Sequence, residues 1–209
     1  MKVVLATRNS GKIVELQRIL KEFPGAEKLE IVGLDKFPEI KDVDETGTTF
    51  IENALLKAHA IADAVGIPAI ADDSGICVDY LKGAPGIYSA RYSGNGDFAN
   101  NEKLLSELTN VSDVERTAHF YCAAVFVTPK NFEDKVELIS EGKFEGRIGH
   151  ELRGTGGFGY DPLFIPAIQK GDFTRTSAEL SANEKDEISH RGKALRSLVP
   201  KILASALLR

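Results

Sequence analysis

The stretch from Ala69 to Val78 most limits how this chain can fold. Ala69-Ile70-Ala71 is a short apolar strand, Asp72-Asp73-Ser74-Gly75 follows at once, and Ile76-Cys77-Val78 resumes the strand. A carboxylate taken out of water needs a charged or hydrogen-bonding partner, and two adjacent aspartates cannot both face solvent or core easily. One division of labour has one aspartate orienting backbone and the other meeting a metal ion. An exposed acidic turn fits the same residues. Against that turn, Ser74-Gly75 allows a sharp backbone approach, and Ile76 returns the chain to the core immediately.

The flanking sequence supplies an α/β frame. Val3-Val4-Leu5-Ala6 reads as a buried strand and ends in the polar loop Thr7-Arg8-Asn9-Ser10-Gly11-Lys12. Ile13, Leu16, Ile19, Leu20 and Phe23 then recur at helical spacing, and Pro24-Gly25 closes that helix. A second strand is expected from Leu29 to Val32, followed by the acidic loop 42–47. The clearest helix runs from Phe50 to Val65, with Thr49 and Glu52 in capping-box spacing and Gly66 and Pro68 past its end.

Downstream, residues 83–96 are too rich in Gly and Pro for regular structure, and Asn100 to Leu108 reads as a helix. His119 to Val127 is a strong strand, and Val136 to Ile148 holds one or two more, with antiparallel pairing through the turn at Pro129-Lys130-Asn131. A Gly-rich segment (154–159) leads into a strand at Leu163-Phe164-Ile165. Helices are expected from Ala178 to Asp186 and from Ser189 onward, the second kinked near Pro200. The 209 residues suit one domain spanning 1–209. Early alternation followed by a meander points to a mixed α/β fold, a mixed sheet flanked by helices.

Bulk properties exclude several classes. With 43% hydrophobic and 27% charged residues the chain has the composition of a soluble protein. A net charge of −5 argues against binding nucleic acid or an anionic membrane by bulk electrostatics. No apolar run approaches the roughly 20 residues that span a bilayer, and no secretory signal is visible, so a cytoplasmic location is expected. Cys77 and Cys122 lie among apolar residues and read as buried thiols.

Four constellations can carry chemistry. At Thr7 to Lys12 a strand feeds a helix through a Gly-containing loop, which aims free N–H groups and the positive end of the helix dipole outward, as a phosphate requires. The P-loop spacing is absent, and a helix capped by Asn9 or Ser10 with solvated basic residues fits equally. The carboxylates Asp44, Glu45, Asp72 and Asp73 form the second group, suited to magnesium, which takes hard oxygen ligands and bridges carboxylates to phosphates. Gly154, Gly156 and Gly159 match G-x-G-x-x-G, but Pro162 leads into a strand rather than a helix, so the dinucleotide reading is rejected. A bend presenting Phe158 for base stacking and Asp161 for a polar contact fits better, against Phe158 as plain core. Finally, His190 and Arg191 follow Ser189 in the first turn of a helix, where they oppose the macrodipole, with Lys185 just upstream; a solvated cationic face is the alternative. Lys57, one turn beyond Asn53, can reach phosphate or snorkel. His59, His119 and His150 have no metal-ligand spacing.

Taken in order, these stretches resemble the inosine triphosphate pyrophosphatase family. The matching segments are 7–12, 45–54, 71–75, Gly83-Ala84-Pro85-Gly86 with Ser89-Ala90-Arg91-Tyr92, 154–162 and 189–192. The resemblance spans essentially the whole chain, and no motif departs from the family pattern. It implies a long, twisted mixed β-sheet flanked by helices, in two lobes with a central cleft, usually as a homodimer. By the same resemblance Thr7, Arg8, Asn9, Ser10, Gly11 and Lys12 hold a triphosphate. Glu45 and Asp73 hold magnesium, Asp73 is the catalytic base, and Ser74 touches substrate. Phe158, Gly159, Tyr160, Asp161, Lys185, His190 and Arg191 form a nucleoside pocket.

The implied reaction splits ITP, dITP or XTP into the monophosphate and pyrophosphate. Such chemistry needs an in-line water, neutralised phosphate charge and a held leaving group, with Lys12 and Lys57 offsetting charge on pyrophosphate. Two rivals stay open: a pyrophosphatase for modified pyrimidine nucleotides, and a nucleotide sensor without turnover. The acidic set weighs against the sensor, because a binder of anions gains little from three carboxylates.

Overall fold

The computed structural model describes residues 1–168, 174–205 and 207, and for Ser10 the backbone alone. Six strands form one mixed sheet in the order β2-β1-β3-β4-β5-β6. They are β1 (Lys2–Leu5), β2 (Glu30–Gly33), β3 (Ala69–Val78), β4 (Thr117–Val127), β5 (Glu137–Ile148) and β6 (Phe164–Pro166). β1 runs parallel to both β2 and β3, and β5 runs antiparallel to β6. A parallel pair needs a crossover. The first is α1 (Ser10–Leu20), between β1 and β2, and α2 (Phe50–Val65) precedes β3. The expected mixed α/β class is what the chain adopts. Among the described residues no helix is long and apolar enough to cross a membrane.

The chain divides into two compact units. The first comprises 1–73, 122–142 and 191–209, and the second 74–121 and 143–190. In the first, Leu16 and Ile19 of α1 pack with Val3 and Leu5 of β1 and with Leu198 and Ile202 of α5 (His190–Ala204). All six are at most 3% exposed, and each such side chain contributes about 1.5–3 kcal/mol by leaving water. α2 begins as its sequence dictates. Thr49 Oγ1 accepts from Glu52 N at 3.1 Å, while the Glu52 carboxylate accepts from the backbone of Thr48 and Thr49. Gly66, at φ 76°, ends it in the left-handed region.

The second unit has its own core, built on Ile76, Val78, Leu104, Leu108, Ile148 and Leu163. Phe120 and Phe164 meet edge to face at 4.8 Å within it. Arg116, 3% exposed, donates to the carbonyls of Ile148, Leu108 and Gly149, so its charge is solvated by backbone dipoles. Helices α3 (Gly96–Glu107) and α4 (Ala182–Ile188) belong to this unit.

Several local expectations need correction. The Asp72-Asp73 segment is not a turn, since β3 runs unbroken from 69 to 78 with both aspartates buried. The helix expected from Asn100 starts at Gly96, and residues 137–148 form a single strand. The helix expected from Ala178 to Asp186 is two elements. Leu180 is extended (φ −83°, ψ 149°), and Ser181 with Glu184 forms a fresh capping box that restarts the chain as α4. Pro200 lies inside α5, as expected.

Candidate active site

Asp72 and Asp73 are neighbours on β3, so their side chains leave opposite faces of the strand, and their environments differ accordingly. Asp72, 6% exposed, is surrounded by cations. Lys12 Nζ lies 2.8 and 3.0 Å from its two carboxylate oxygens, and Arg191 Nε donates to Oδ2 at 3.1 Å. Glu15 Oε2 stands 3.6 Å from Arg191 Nη1. Burial alone would raise the pKa of Asp72. The charges of Lys12, Arg191 and Lys57 outweigh it and hold the carboxyl well below its usual range. Burial likewise works against the Arg191 charge, and Asp72 more than offsets it, so that pKa is raised.

Asp73, 8% exposed, moves the other way. Burial and the nearby Glu45 charge push its pKa up to about 6, although Lys57 and a hydrogen bond from Asn53 pull down. Asn53 is fully buried; its Nδ2 donates to Asp73 Oδ2 at 3.1 Å and its Oδ1 accepts from Gly47 N at 2.8 Å. One side chain of α2 thus ties the acidic loop to Asp73. One turn further, Lys57 Nζ lies 2.6 Å from Glu45 Oε1 and donates to the Asp72 carbonyl at 3.0 Å. Burial alone would lower the Lys57 pKa, but Asp72 and Glu45 hold it above its ordinary value.

These groups suit a hard divalent cation. Two carboxylates that raise each other's pKa are relieved by a metal between them, and magnesium takes few protein carboxylates while sharing the rest of its shell with phosphate and water. Among the described residues no cluster of three or more His, Cys, Asp or Glu gathers for a metal. Glu45 and Asp73 are therefore a two-carboxylate set of the magnesium kind, not a closed cage.

At the start of α1, Asn9 rather than Ser10 is the cap, accepting from Gly11 N at 2.9 Å and Lys12 N at 3.4 Å. Thr7 Oγ1 accepts from Asn9 N at 3.1 Å. Arg8 is turned toward the 34–42 loop, where it donates to the carbonyls of Leu34 and Ile40 and meets Asp42. The side chain of Ser10 lies outside the described residues.

The second unit carries a cavity of about 130 Å³, lined among others by Ser74, Phe158, Asp161, Lys185 and His190. Phe158 is 51% exposed, so it is not core, and Lys185 Nζ lies 5.0 Å from its ring centre. Asp161, 2% exposed, accepts from Phe158 N at 2.8 Å and pairs with Lys185. A Cβ on Gly157 would stand 2.1 Å from Asp161 Oδ2, so glycine is required there. Tyr160 is 3% exposed and donates to Ser89 O at 2.9 Å, which places its hydroxyl in the wall. The His190 ring stacks on Phe120 at 4.9 Å.

The structure thus gathers Lys12, Glu45, Lys57, Asp73 and Arg191 in the first unit, and Ser74, Phe158 to Asp161, Lys185 and His190 in the second. Sequence reasoning missed Asn53 as the link to Asp73. Its spacing of four from Lys57, which puts both on one helix face, is the signal that points to it.

In fold and in side-chain content the chain is an α/β protein of the inosine triphosphate pyrophosphatase type. It belongs to the Ham1 family, whose model matches residues 3–201. It is 53% identical over 203 residues to the dITP/XTP pyrophosphatase of Streptomyces coelicolor, with 96% of each chain covered. With the dITP/XTP pyrophosphatase of Vibrio parahaemolyticus it shares 47% over 205 residues, covering 97% of each. Among solved structures, a HAM1 protein from Coxiella burnetii superposes with a TM-score of 0.84 at 38% identity, covering 98% of this chain and 100% of the other. A nucleoside-triphosphatase / dITP/XTP pyrophosphatase from Mycobacterium abscessus gives 0.74 at 43% identity, covering 96% and 100%.

Proposed function

We propose that the whole chain, 1–209, acts as one domain that hydrolyses the non-standard purine nucleoside triphosphates ITP, dITP and XTP to the monophosphate and pyrophosphate. This would clear the pool of bases that should not enter DNA or RNA. The observation that carries the reading is the pair of buried neighbours on β3. Asp72 is bound by Lys12 and Arg191, and Asp73 stands beside Glu45 with its pKa raised to about 6. Relatives of this length and identity carrying the dITP/XTP pyrophosphatase name support the substrate class.

Glu45 and Asp73 would hold magnesium, which when bound neutralises phosphate charge and lowers the pKa of water. Asp73, with a pKa near neutrality, accepts the proton of the water attacking the α-phosphate. Lys12 and Lys57 offset charge on the departing pyrophosphate, helped by Thr7, Arg8, Asn9, Ser10 and Gly11. Ser74, Phe158, Gly159, Tyr160, Asp161, Lys185, His190 and Arg191 hold the nucleoside, with Phe158 stacking on the base. Donors facing the 6-oxygen of hypoxanthine or xanthine would be left unpaired by adenine, which is costly. The protein is proposed to work as a cytoplasmic homodimer.

Pyrophosphate release with magnesium across ITP, dITP, XTP, GTP, ATP and a pyrimidine panel tests this. Release from the first three is expected. Equal turnover of ATP and ITP would sink the specificity, preference for pyrimidines would favour that rival, and binding without release would make the protein a sensor.

A further inference from the structure

The Gly-rich loop that carries Phe158 is held from outside, by a helix with no assigned part in substrate binding. Asp97 and Asn101 sit one turn apart at the start of α3. Asp97 Oδ2 accepts from Gly159 N at 2.9 Å, and Asn101 Nδ2 donates to Gly159 O at 2.8 Å. Both backbone groups of one loop residue are thereby taken by one helix. Gly159 has φ +60°, a left-handed conformation that gives the loop no ladder to join. Asn101 Nδ2 also donates to Asp97 O at 2.8 Å, which fixes the amide itself.

The adjoining residue does the same for the opposite wall. Asn100 accepts from Ser93 N and Oγ, each at 2.7 Å, and donates to the carbonyls of Ser89 and Ala90. Ser89 and Ala90 line the same cavity, and Tyr160 Oη donates to Ser89 O. Two consecutive asparagines therefore tie two walls to one helix. Asn101 is only 3% exposed, and its Oδ1 has no hydrogen-bond partner among the described residues. An unpaired buried acceptor is unfavourable, so the residue's contribution lies in its two amide hydrogens.

We propose that Asp97 and Asn101 are positioning residues of the nucleoside pocket: by holding Gly159 they set the placement of Phe158 and Tyr160 against a purine base. This rests on the cavity being the nucleoside site. Their effect should appear in base binding and leave contacts to the phosphates alone.

The test compares Asp97→Ala, Asp97→Asn, Asn101→Asp and wild type. It reads KM and kcat with ITP, the inhibition constant of inorganic tripolyphosphate, which has no base, and deuterium exchange at residues 157–160. Losing one positioning hydrogen bond predicts about a tenfold rise in KM for Asp97→Ala and Asn101→Asp. kcat should stay within about twofold, tripolyphosphate inhibition should be unchanged, and exchange at 157–160 should quicken. Asp97→Asn keeps an acceptor for Gly159 N and should behave like wild type. Unchanged KM in both damaging variants would overturn the proposal, as would an equal loss of tripolyphosphate affinity or an Asp97→Asn as impaired as Asp97→Ala. If Asn101→Asp does not fold, Asp97→Ala, at an exposed position, carries the same readouts. Should wild type bind ITP no better than tripolyphosphate, the nucleoside reading fails first, whatever the variants do.

Discussion

Arg191 Nε donates to Asp72 Oδ2 across 3.1 Å, joining residues 119 positions apart in the chain. With Lys12 on the same carboxylate, one buried anion positions two cations from opposite ends of the protein. Breaking a buried pair by removing one partner leaves an uncompensated charge, which costs about 3–5 kcal/mol. Asp72→Asn should therefore lower unfolding free energy by that order in urea titration. The folded pKa of Asp72 is depressed, so its stabilisation is present above the unfolded value near 4 and is lost only as pH falls through the lower folded value. The deficit of the variant should be flat from pH 5 upward.

Asp73→Asn should act with opposite sign on the metal-free protein. An acid whose folded pKa rises to about 6 binds its proton more tightly when folded. Wild type therefore loses stability as pH climbs from about 4 to about 6, and the deficit is complete above that. Melting curves in chelator should show the variant more stable at pH 8 by up to about 3 kcal/mol, with no gain at pH 3.5. Pyrophosphate release should vanish. A variant that stays active would move the base elsewhere, Asp72 being the first suspect.

Phe158→Ala removes a half-exposed ring whose proposed partner is a base. Calorimetric titration should show binding of every purine nucleotide weakened by about 1–3 kcal/mol. Loss confined to one base would contradict stacking.

Gly157→Ala places a Cβ against Asp161 Oδ2 at a backbone φ of +73°. The carboxylate must shift and its bond from Phe158 N must break, so KM for ITP should rise while tripolyphosphate inhibition holds. Unchanged KM would show that the loop tolerates the displaced Asp161.

What could be read from the residues alone follows the range of the forces involved. The start of α2 was legible because Thr49 and Glu52 satisfy the helix end within four residues. The Leu180 break was not, since residues 178–186 have helical composition and nothing local announces the restart at Ser181. The roles of Asp72 and Asn53 were illegible for another reason. Their partners lie 60, 119 and 20 positions away, and only the completed fold brings them together. Arg8, expected at a phosphate, meets instead the carbonyls of a loop whose path the sequence does not specify.

The polypeptide passes between its two units at 73/74, 121/122, 142/143 and 190/191. The first and last of these passages fall between Asp73 and Ser74 and between His190 and Arg191, inside motifs proposed to act on one substrate molecule. Neither unit is a continuous stretch of gene. A single recombination breakpoint cannot carry one away without severing the other, so an ancestor could not have exchanged its base pocket as a cassette. New base preferences in such a lineage have to arise by substitution in place, one codon at a time.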